Sequence, residues 1–301
     1  MAEDRNILLC LGFGYVARAL AATLDRGTWA VIGTVHRGSN ETAAEGVTLV
    51  LFDDAGDAIA RATHILVSVP PDENGDPVLG QHGSRFAGST ALRWLGYLST
   101  TGVYGDTGGR TVDESAALVP THERGRRRVK AEFAWQDHAK ANALPLHIFR
   151  LAGIYGPGRN VLDQVRDGTA RRIVKPGHAF SRIHVDDIVQ ALTLSMAKPQ
   201  PDAIYNLCDD EAAEQAEVVA YACRLLGAPV PPPVEFEEAV KTMSPMARSF
   251  WDDQRLIDNS KIKRDLGFAL RYSMYREGLT AILEGERGPT TTGRGARRRR
   301  K

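Results

Sequence analysis

The most informative segment of the sequence reads Leu11-Gly12-Phe13-Gly14-Tyr15-Val16-Ala17. It follows an apolar run at residues 6–11 that is typical of a buried strand, and it opens a stretch with helical apolar spacing at residues 15–24. A G-x-G-x-x-A loop between a strand and a helix is typical of dinucleotide-binding folds. We therefore expect the phosphates of a dinucleotide to bind at this loop, on the amino-terminal end of the helix.

The residues predicted to bind this cofactor make different contributions. Gly12 allows the tight turn, and Gly14 lets the backbone approach a pyrophosphate. The other candidates lie in the loop or follow the next three predicted strands: Phe13, Tyr15, Val16, Arg37, Asp53 and Val69. Asp53 could flank the adenine, or it could cap the helix that follows it.

The end of the second predicted strand bears on the choice between NAD(H) and NADP(H). An NAD site usually has an acid about 20 residues beyond the glycines to bind the ribose 2′-hydroxyl. Residues 34–39 read Thr-Val-His-Arg-Gly-Ser and contain no acid. Arg37 instead suits a 2′-phosphate, so we expect NADP(H) to be preferred over NAD(H). The alternative is that Arg37 is a solvated surface charge.

Short apolar runs alternate with helical patterns through the first half of the chain. The runs lie at residues 6–11, 29–35, 47–52, 64–69, 94–99 and 146–151, and a helix is predicted from about residue 121 to residue 143. This alternation predicts an α/β fold with a doubly wound parallel sheet, the Rossmann arrangement. We expect residues 1–155 to form the dinucleotide-binding domain, with strand segments near 183–208 rejoining it. Residues 156–287 are expected to form mainly a small α/β substrate lobe at the carboxyl-terminal side.

Composition excludes several classes of protein. The chain has 301 residues, of which 43% are hydrophobic and 25% charged, as expected for a soluble globular protein. No apolar run approaches the roughly 20 residues of a membrane span. The three cysteines, Cys10, Cys208 and Cys223, form no C-x-x-C pair. They predict neither a disulfide framework nor a metal site, and they fit a reducing cytoplasm.

Positive charge is concentrated at the end of the chain. Six basic residues and no acid lie in the last eight positions, so a net charge of +1 leaves −5 for residues 1–293. An acidic body argues against nucleic-acid binding through the folded part. Residues 288–301 are predicted to be a disordered basic tail. The tail is either a solubilising end or a weak contact for RNA or another anionic surface.

Several later segments resemble motifs of the extended short-chain dehydrogenases/reductases, the NAD-dependent epimerase/dehydratase type. The matching segments, in chain order, are Tyr97 to Gly105, Arg150 to Gly158, Ser181 to Ile188, Tyr205 to Leu207 and Asn259 to Phe268. They resemble the family patterns S-S-x-x-V-Y-G, L-R-x-x-x-x-Y-G-P-G, F-x-H-V-D-D, Y-N-x and N-S-K-x-x-x-x-L-G-[WF].

The resemblance implies a catalytic Ser/Thr followed by Tyr-x-x-x-Lys. Thr100 falls on the Ser/Thr position, whereas Arg124 and Arg128 fall on the Tyr and Lys positions. A shift of two residues would restore Lys130, but Arg126 would then replace the Tyr. The chain therefore resembles the atypical members that lack Tyr-x-x-x-Lys.

These substitutions change the expected chemistry. An arginine keeps its protons at working pH and cannot act as the family's tyrosine does, but it can bind a carboxylate or phosphate. We predict Thr100, Arg124 and Arg128 as the catalytic residues, and Arg182 and Tyr155 as substrate-binding residues. An exposed Arg128–Glu132 ion pair and a solvated Arg182 are the alternatives. Tyr104, His122 and His184 are, with Tyr155, the candidates for proton transfer.

The sequence thus predicts an NAD(P)-dependent oxidoreductase or epimerase/dehydratase-like enzyme. Its expected partner is a small or sugar-like, anionic carbonyl or hydroxyl compound, and a homodimer is compatible with the sequence. We expect no membrane partner. The alternative function is a non-catalytic NADP(H)-binding sensor or scaffold, because a fold does not fix a function.

Overall fold

The computed structural model describes residues 5–39 and 42–287. The predicted basic tail, residues 288–301, lies outside the described residues. Strands are numbered in chain order: β1 (Asn6–Leu11), β2 (Trp29–Val35), β3 (Val47–Leu51), β4 (His64–Val67), β5 (Trp94–Thr100), β6 (Thr111–Val112), β7 (Leu146–Leu151), β8 (Gly153–Tyr155), β9 (Arg172–Val174), β10 (Ala179–Phe180), β11 (Arg182–His184), β12 (Ala203–Leu207), β13 (Ala213–Glu214), β14 (Pro233–Glu235) and β15 (Leu256–Ile257).

The α-helices are numbered in the same way: α1 (Tyr15–Thr23), α2 (Gly56–Arg61), α3 (Pro77–His82), α4 (Glu123–Asn142), α5 (Val161–Arg166), α6 (Val185–Ala197), α7 (Gln215–Leu226), α8 (Phe236–Ala239), α9 (Pro245–Asp252), α10 (Ser260–Leu266) and α11 (Tyr275–Arg287). Two short 3-10 helices, Phe52–Asp54 and Thr101–Tyr104, follow β3 and β5.

Seven strands form the central sheet in the order β12-β7-β5-β4-β1-β2-β3, and each neighbouring pair is parallel. The chain progresses outward in one direction from β1 to β3 and in the other from β4 to β12. Such a reversal opens a crevice at the carboxyl ends of β1 and β4, where ligands of doubly wound sheets bind. The sheet confirms the predicted fold class.

Helices cover both faces of the sheet because its central strands are almost entirely apolar. On one face, α1, α6 and α10 pack around Leu8, Leu20 and Phe149. On the other face, α2, α3 and α4 pack around Ile65 and Trp135. The central sheet is therefore a rigid support for the residues at its carboxyl edge.

The elements that follow the carboxyl end of β7 form two smaller apolar clusters. The first joins α5, α7 and α11 through residues such as Leu162 and Leu279. The second contains Ile173, Ala239 and Trp251 and supports α9. In residues 5–39 and 42–287, none of the helices has both the length and the apolar composition that a bilayer crossing requires.

A buried ion pair links α4 to the middle of the sheet. Arg150 on β7 donates to Glu132 on α4, with Nη2 and Oε2 2.8 Å apart, and the Glu132 side chain is fully buried. The Ser99 hydroxyl also donates to Glu132. Arg150 Nη1 donates to the Tyr104 hydroxyl at 2.9 Å, and that hydroxyl donates to Asn206 Oδ1 at 2.7 Å. The network thus connects α4, β5, β7 and β12.

We predict that Glu132→Ala lowers the free energy of unfolding by about 3 to 5 kcal/mol, because it leaves the Arg150 guanidinium buried without a partner. The measurement is urea denaturation followed by circular dichroism. The matched control is Glu123→Ala on the same helix, where an exposed pair with Arg126 is worth about 0 to 1 kcal/mol. Equal losses in the two variants would contradict the prediction.

Candidate active site

The loop between β1 and α1 is held by hydrogen bonds to both neighbouring strands. The Gly12 N–H donates to Thr34 Oγ1 at 2.8 Å, and the Ser68 hydroxyl donates to the Gly12 carbonyl at 2.7 Å. Gly12 has a φ of +91°, and a Cβ at this position would lie 2.8 Å from Ser68 Oγ. Glycine is therefore required by both conformation and space.

The amino terminus of α1 offers hydrogen-bond donors to a ligand. Gly14 is the N-cap and supplies no side-chain cap, so the first-turn N–H groups, including those of Tyr15 and Val16, have no partner within the helix. A Cβ at Gly14 would meet no atom within 4 Å. Open space above free N–H groups at a helix amino terminus fits the pyrophosphate of a dinucleotide.

Two of the predicted cofactor-binding side chains are buried in the core. Phe13 is 3% exposed and packs so closely against Gly33 that a Cβ there would lie 2.6 Å from its ring. The Phe13 N–H also donates to the Thr34 carbonyl at 3.1 Å. The expectation that Phe13 contacts the cofactor is therefore wrong. The Val16 side chain is buried as well. Only the backbone N–H of Val16 is therefore available to a cofactor.

The other predicted cofactor-binding residues lie around the crevice. Arg37 is exposed in the turn that follows β2, and β2 is the neighbour of β1 in the sheet. Asp53 is exposed in the 3-10 helix Phe52–Asp54, where it accepts a hydrogen bond from the Gln81 amide at 3.2 Å. Val69 lies against Gly12. The Tyr15 hydroxyl donates to the Pro157 carbonyl at 3.0 Å and so connects α1 to the segment after β8.

A cavity of about 410 Å³ opens at the carboxyl ends of β5 and β7. Its lining includes four residues that the sequence singled out as catalytic or substrate-binding: Thr100, Arg124, Tyr155 and Arg182. The remaining wall is largely apolar and includes Leu151, Ile154, Phe180, Phe250, Trp251 and Ile257. The structure thus brings most of the predicted catalytic and substrate residues into one space.

Thr100 supplies a hydroxyl group to this cavity, whereas the hydroxyl of Tyr155, another lining residue, lies against Gly278. Thr100 ends β5, and its Oγ1 accepts a hydrogen bond from the Gly102 N–H at 3.1 Å, which leaves its own proton to donate. The Tyr155 hydroxyl is buried with no hydrogen-bond partner among the described residues. Burial raises the pKa of Tyr155 well above its usual range, so it keeps its proton.

Three arginines give the cavity a positive potential. Arg255 is paired with Asp253 at 2.8 Å. No carboxylate of the described residues lies within 4 Å of Arg124 or Arg182. Burial, followed by the like charges of Arg128 and Arg255, lowers the pKa of Arg124, as expected for an uncompensated cation. An anion would relieve this repulsion.

Arg182 is half-buried and bonded to the backbone, so it is not the freely solvated charge of the alternative. It lies on β11, and its Nη1 donates to the carbonyls of Phe180 and Ala213 at 2.8 and 2.9 Å. These bonds fix the guanidinium in the cavity wall. Burial lowers the pKa of Arg182, because the charged form has lost its solvation.

Arg128 lies outside the cavity, contrary to its predicted catalytic role. Its Nη1 donates to the Tyr97 hydroxyl at 3.0 Å and to the Leu98 carbonyl at 2.9 Å. It therefore supports β5 from the α4 side. The expected exposed pair between Arg128 and Glu132 is wrong, since Glu132 is buried and pairs with Arg150.

Two of the four proton-transfer candidates line the cavity, namely Tyr155 and His122. His122 has its Nε2 3.7 Å from an Asp252 carboxylate oxygen. The Tyr104 hydroxyl is committed to the buried network that contains Arg150. His184 accepts the Asp186 N–H at 3.1 Å and so starts α6, away from the lining.

Asp209 is an unexpected buried acid near Arg182. It is 4% exposed, and neither carboxyl oxygen has a hydrogen-bond partner among the described residues. Burial raises the pKa of Asp209 to about 8, although Arg182 acts in the opposite direction. Burial therefore favours the protonated carboxyl, which weakens the charge compensation that Asp209 offers to Arg182.

Sequence reasoning missed the wall that α9 forms. Phe250 and Trp251 project from this helix into the lining, and Asp253 and Arg255 follow it. A local signal for the helix exists, since Ser244 caps it by accepting the Ala247 N–H and Pro245 occupies its first turn. Nothing in the sequence indicates that this helix packs over the end of β5.

We predict that Asp209→Asn reduces the pH dependence of stability. Between about pH 4 and pH 8 the folded state holds a proton on Asp209 that the unfolded chain has lost. The free energy of unfolding of the wild type therefore falls as pH rises through this window, by at most about 1.4 kcal/mol per unit from this group. Urea denaturation at pH 5 and pH 8 measures the difference between the two proteins.

The control is Asp137→Asn, an exposed acid on α4, which should keep the wild-type slope between pH 5 and pH 8. A slope in Asp209→Asn equal to that of the wild type would show that Asp209 is ionised in the folded protein.

Comparison with known proteins finds a family similarity in the middle of the chain. The model of the NAD dependent epimerase/dehydratase family matches residues 86–208, which include β5, α4, β7, β11 and β12. Protein YeeZ of Escherichia coli is 28% identical over 280 residues, which cover 87% of this chain and 94% of YeeZ.

Solved structures agree with this comparison. A conserved protein of unknown function from Silicibacter pomeroyi is 48% identical, with a TM-score of 0.85, over 92% of this chain and 98% of that chain. UDP-glucuronic acid 4-epimerase from Bacillus cereus, in complex with NAD, shares the fold at 16% identity, with a TM-score of 0.69, over 92% of this chain and 96% of that chain. The chain is thus similar to the NAD dependent epimerase/dehydratase family over residues 86–208, and it lacks the Tyr-x-x-x-Lys motif.

Proposed function

We propose that the protein is an NAD(P)-dependent oxidoreductase or epimerase/dehydratase-like enzyme that acts on a small or sugar-like, anionic carbonyl or hydroxyl compound. One observation carries the proposal: the Thr100 hydroxyl shares a cavity with Arg124 and Arg182, neither of which has an acidic partner among the described residues. The match of residues 86–208 to the epimerase/dehydratase family supports the reaction class. The epimerase from Bacillus cereus with NAD supports the cofactor class.

The cofactor would be held by the β1–α1 loop and the ends of the neighbouring strands. Gly12 and Gly14 would let the backbone approach the pyrophosphate closely. The N–H groups of Tyr15 and Val16 would donate hydrogen bonds to the phosphate oxygens. Arg37 would pair with a 2′-phosphate, and Asp53 and Val69 would border the rest of the dinucleotide. When bound, the cofactor supplies or accepts a hydride.

The protein's own residues would orient the substrate and stabilise charge. Thr100 donates a hydrogen bond to the substrate oxygen, where negative charge develops during reduction. Tyr155 lines the cavity, and burial keeps its hydroxyl protonated. Arg124 occupies the position of the family's tyrosine and binds an anionic group rather than transferring a proton. His122 also lines the cavity, and its imidazole is the type of side chain that most often acts as a general acid or base.

The second candidate function is a non-catalytic NADP(H) sensor. The replacement of the family's Tyr and Lys by Arg124 and Arg128 favours it. The test is a screen of phosphorylated, nucleotide-linked and carboxylated carbonyl compounds, in which NADPH consumption is followed by absorbance. If no compound is turned over while NADPH binds tightly, the sensor function replaces the enzyme. If all active compounds are neutral, the role of the arginines is wrong.

We predict that NADPH binds more tightly than NADH and that Arg37→Ala removes most of the difference. Loss of a hydrogen bond to a charged group costs about 1.5 to 3 kcal/mol, or roughly 10- to 150-fold in affinity. Calorimetric titration of both cofactors measures this. Arg61→Ala, an exposed arginine on α2, is the control and should preserve the preference. Equal affinities of the wild type for NADPH and NADH would refute the prediction.

We predict that Thr100→Val lowers turnover of the best substrate by about 100-fold, the usual cost of losing one donor to a developing oxyanion. NADPH affinity should change little, because the hydroxyl contacts the reacting oxygen. Thr100→Ser retains the hydroxyl and should restore most of the activity. A Thr100→Val variant with wild-type turnover would exclude this role for the hydroxyl.

A further inference from the structure

We infer that the cavity selects an organic anion with an apolar body, such as an aryl or aliphatic carboxylate or phosphate, rather than a hydroxyl-rich sugar. This inference rests on the proposed function and narrows its substrate class. The observations that carry it are the two arginines without an acidic partner among the described residues, the aromatic wall, and the hydrogen bonds or ion pairs that already engage Gln215, Ser249 and Asp253 of the lining.

Arg124 and Arg182 form the cationic side of the cavity, which suits one negatively charged group of a ligand. The Arg124 guanidinium lies 4.6 Å from the centre of the Phe250 ring, so it presents a flat charged face beside an apolar one. Arg182 is fixed by two backbone carbonyls. Neither guanidinium has a carboxylate of the described residues within 4 Å, since Asp253 is engaged by Arg255, and burial favours the protonated form of the nearby Asp209 carboxyl.

The aromatic side of the cavity is rigid. The rings of Phe180 and Trp251 meet edge to face with centroids 5.0 Å apart, and Phe236 supports Trp251 from behind at 5.4 Å. Leu151, on β7, adds an aliphatic surface. Such a wall gains binding energy in proportion to the apolar ligand surface that it covers. It gains nothing comparable from hydroxyl groups.

Three polar residues of the lining already bond to other protein groups, which leaves them few hydrogen bonds for the hydroxyls of a sugar. The Gln215 amide accepts the Ile173 N–H at 2.9 Å and donates to the Arg171 carbonyl at 2.7 Å. The Ser249 hydroxyl donates to a carbonyl in its own helix. Among the described residues, Asp253 is the single carboxylate of the lining, and it is paired. Each buried hydroxyl without a partner costs binding energy.

The test measures binding directly, by calorimetry on the full chain, and does not require turnover. The probes are phenylpyruvate and phenyl phosphate as aryl anions, glucose 6-phosphate as a sugar anion, UDP-glucose as a nucleotide sugar, and benzyl alcohol as a neutral aryl compound. We expect one or both aryl anions to bind at least about tenfold more tightly than each of the other three. The two aryl anions distinguish a carboxylate from a phosphate.

Matched variants locate the site. Arg124→Gln should weaken aryl-anion binding by about tenfold or more, whereas Arg126→Gln, which alters an exposed arginine paired with Glu123 on the same helix, should not. Phe250→Ala, at a side chain 48% exposed, should weaken it by about fivefold, whereas Met246→Ala, 67% exposed on the same helix and outside the lining, should not. Thermal melting confirms that each variant is folded.

Tighter binding of glucose 6-phosphate or UDP-glucose, or no binding of either aryl anion at millimolar concentration, would overturn the inference. Binding that survives both Arg124→Gln and Phe250→Ala would also overturn it. The proposed function can fail while this inference stands. If aryl anions bind but are never turned over with NADPH, the enzymatic function is refuted and the ligand class is retained. If a sugar phosphate alone is turned over, the enzymatic function is retained and the ligand class is refuted.

Discussion

The buried pair between Arg150 and Glu132 constrains the rest of the structure. Two charges removed from water are tolerated only if they meet in good geometry and if neighbours satisfy their remaining hydrogen-bonding groups. Ser99 and Tyr104 provide those neighbours. The register of α4 on the sheet is therefore fixed at Glu132.

The same constraint positions the candidate active site. Arg124 precedes Glu132 by eight residues, or about 12 Å along the helix axis, and this places it at the cavity where β5 ends. Arg128 lies between them in the helix and donates hydrogen bonds to the Tyr97 hydroxyl and the Leu98 carbonyl. One helix face thus carries Arg124 at the cavity, Arg128 against β5 and the buried Glu132.

Much of the fold could be predicted because its determinants are local. Fully apolar strands and a glycine-rich turn are visible in the sequence, and the bounds of β1, β2 and β7 agree with the structure. The errors concern partners that lie far apart in the chain. Phe13 is buried by Gly33 across the sheet, and Glu132 is engaged by Arg150. The α9 wall of the cavity, with Asp253 and Arg255, likewise depends on tertiary packing that no local pattern reports.

The position of β12 in the sheet has a consequence for how the molecule can be divided. In the chain, α5 and β9 of the smaller clusters precede this strand and α7, α9 and α11 follow it, yet it completes the edge of the central sheet beside β7. It also carries Asn206, the acceptor of the Tyr104 hydroxyl. A fragment that stopped after β8 would expose the backbone of β7 and break the polar network beneath it. The two halves are interleaved along the chain, so they are expected to fold and unfold as one cooperative unit rather than as exchangeable modules.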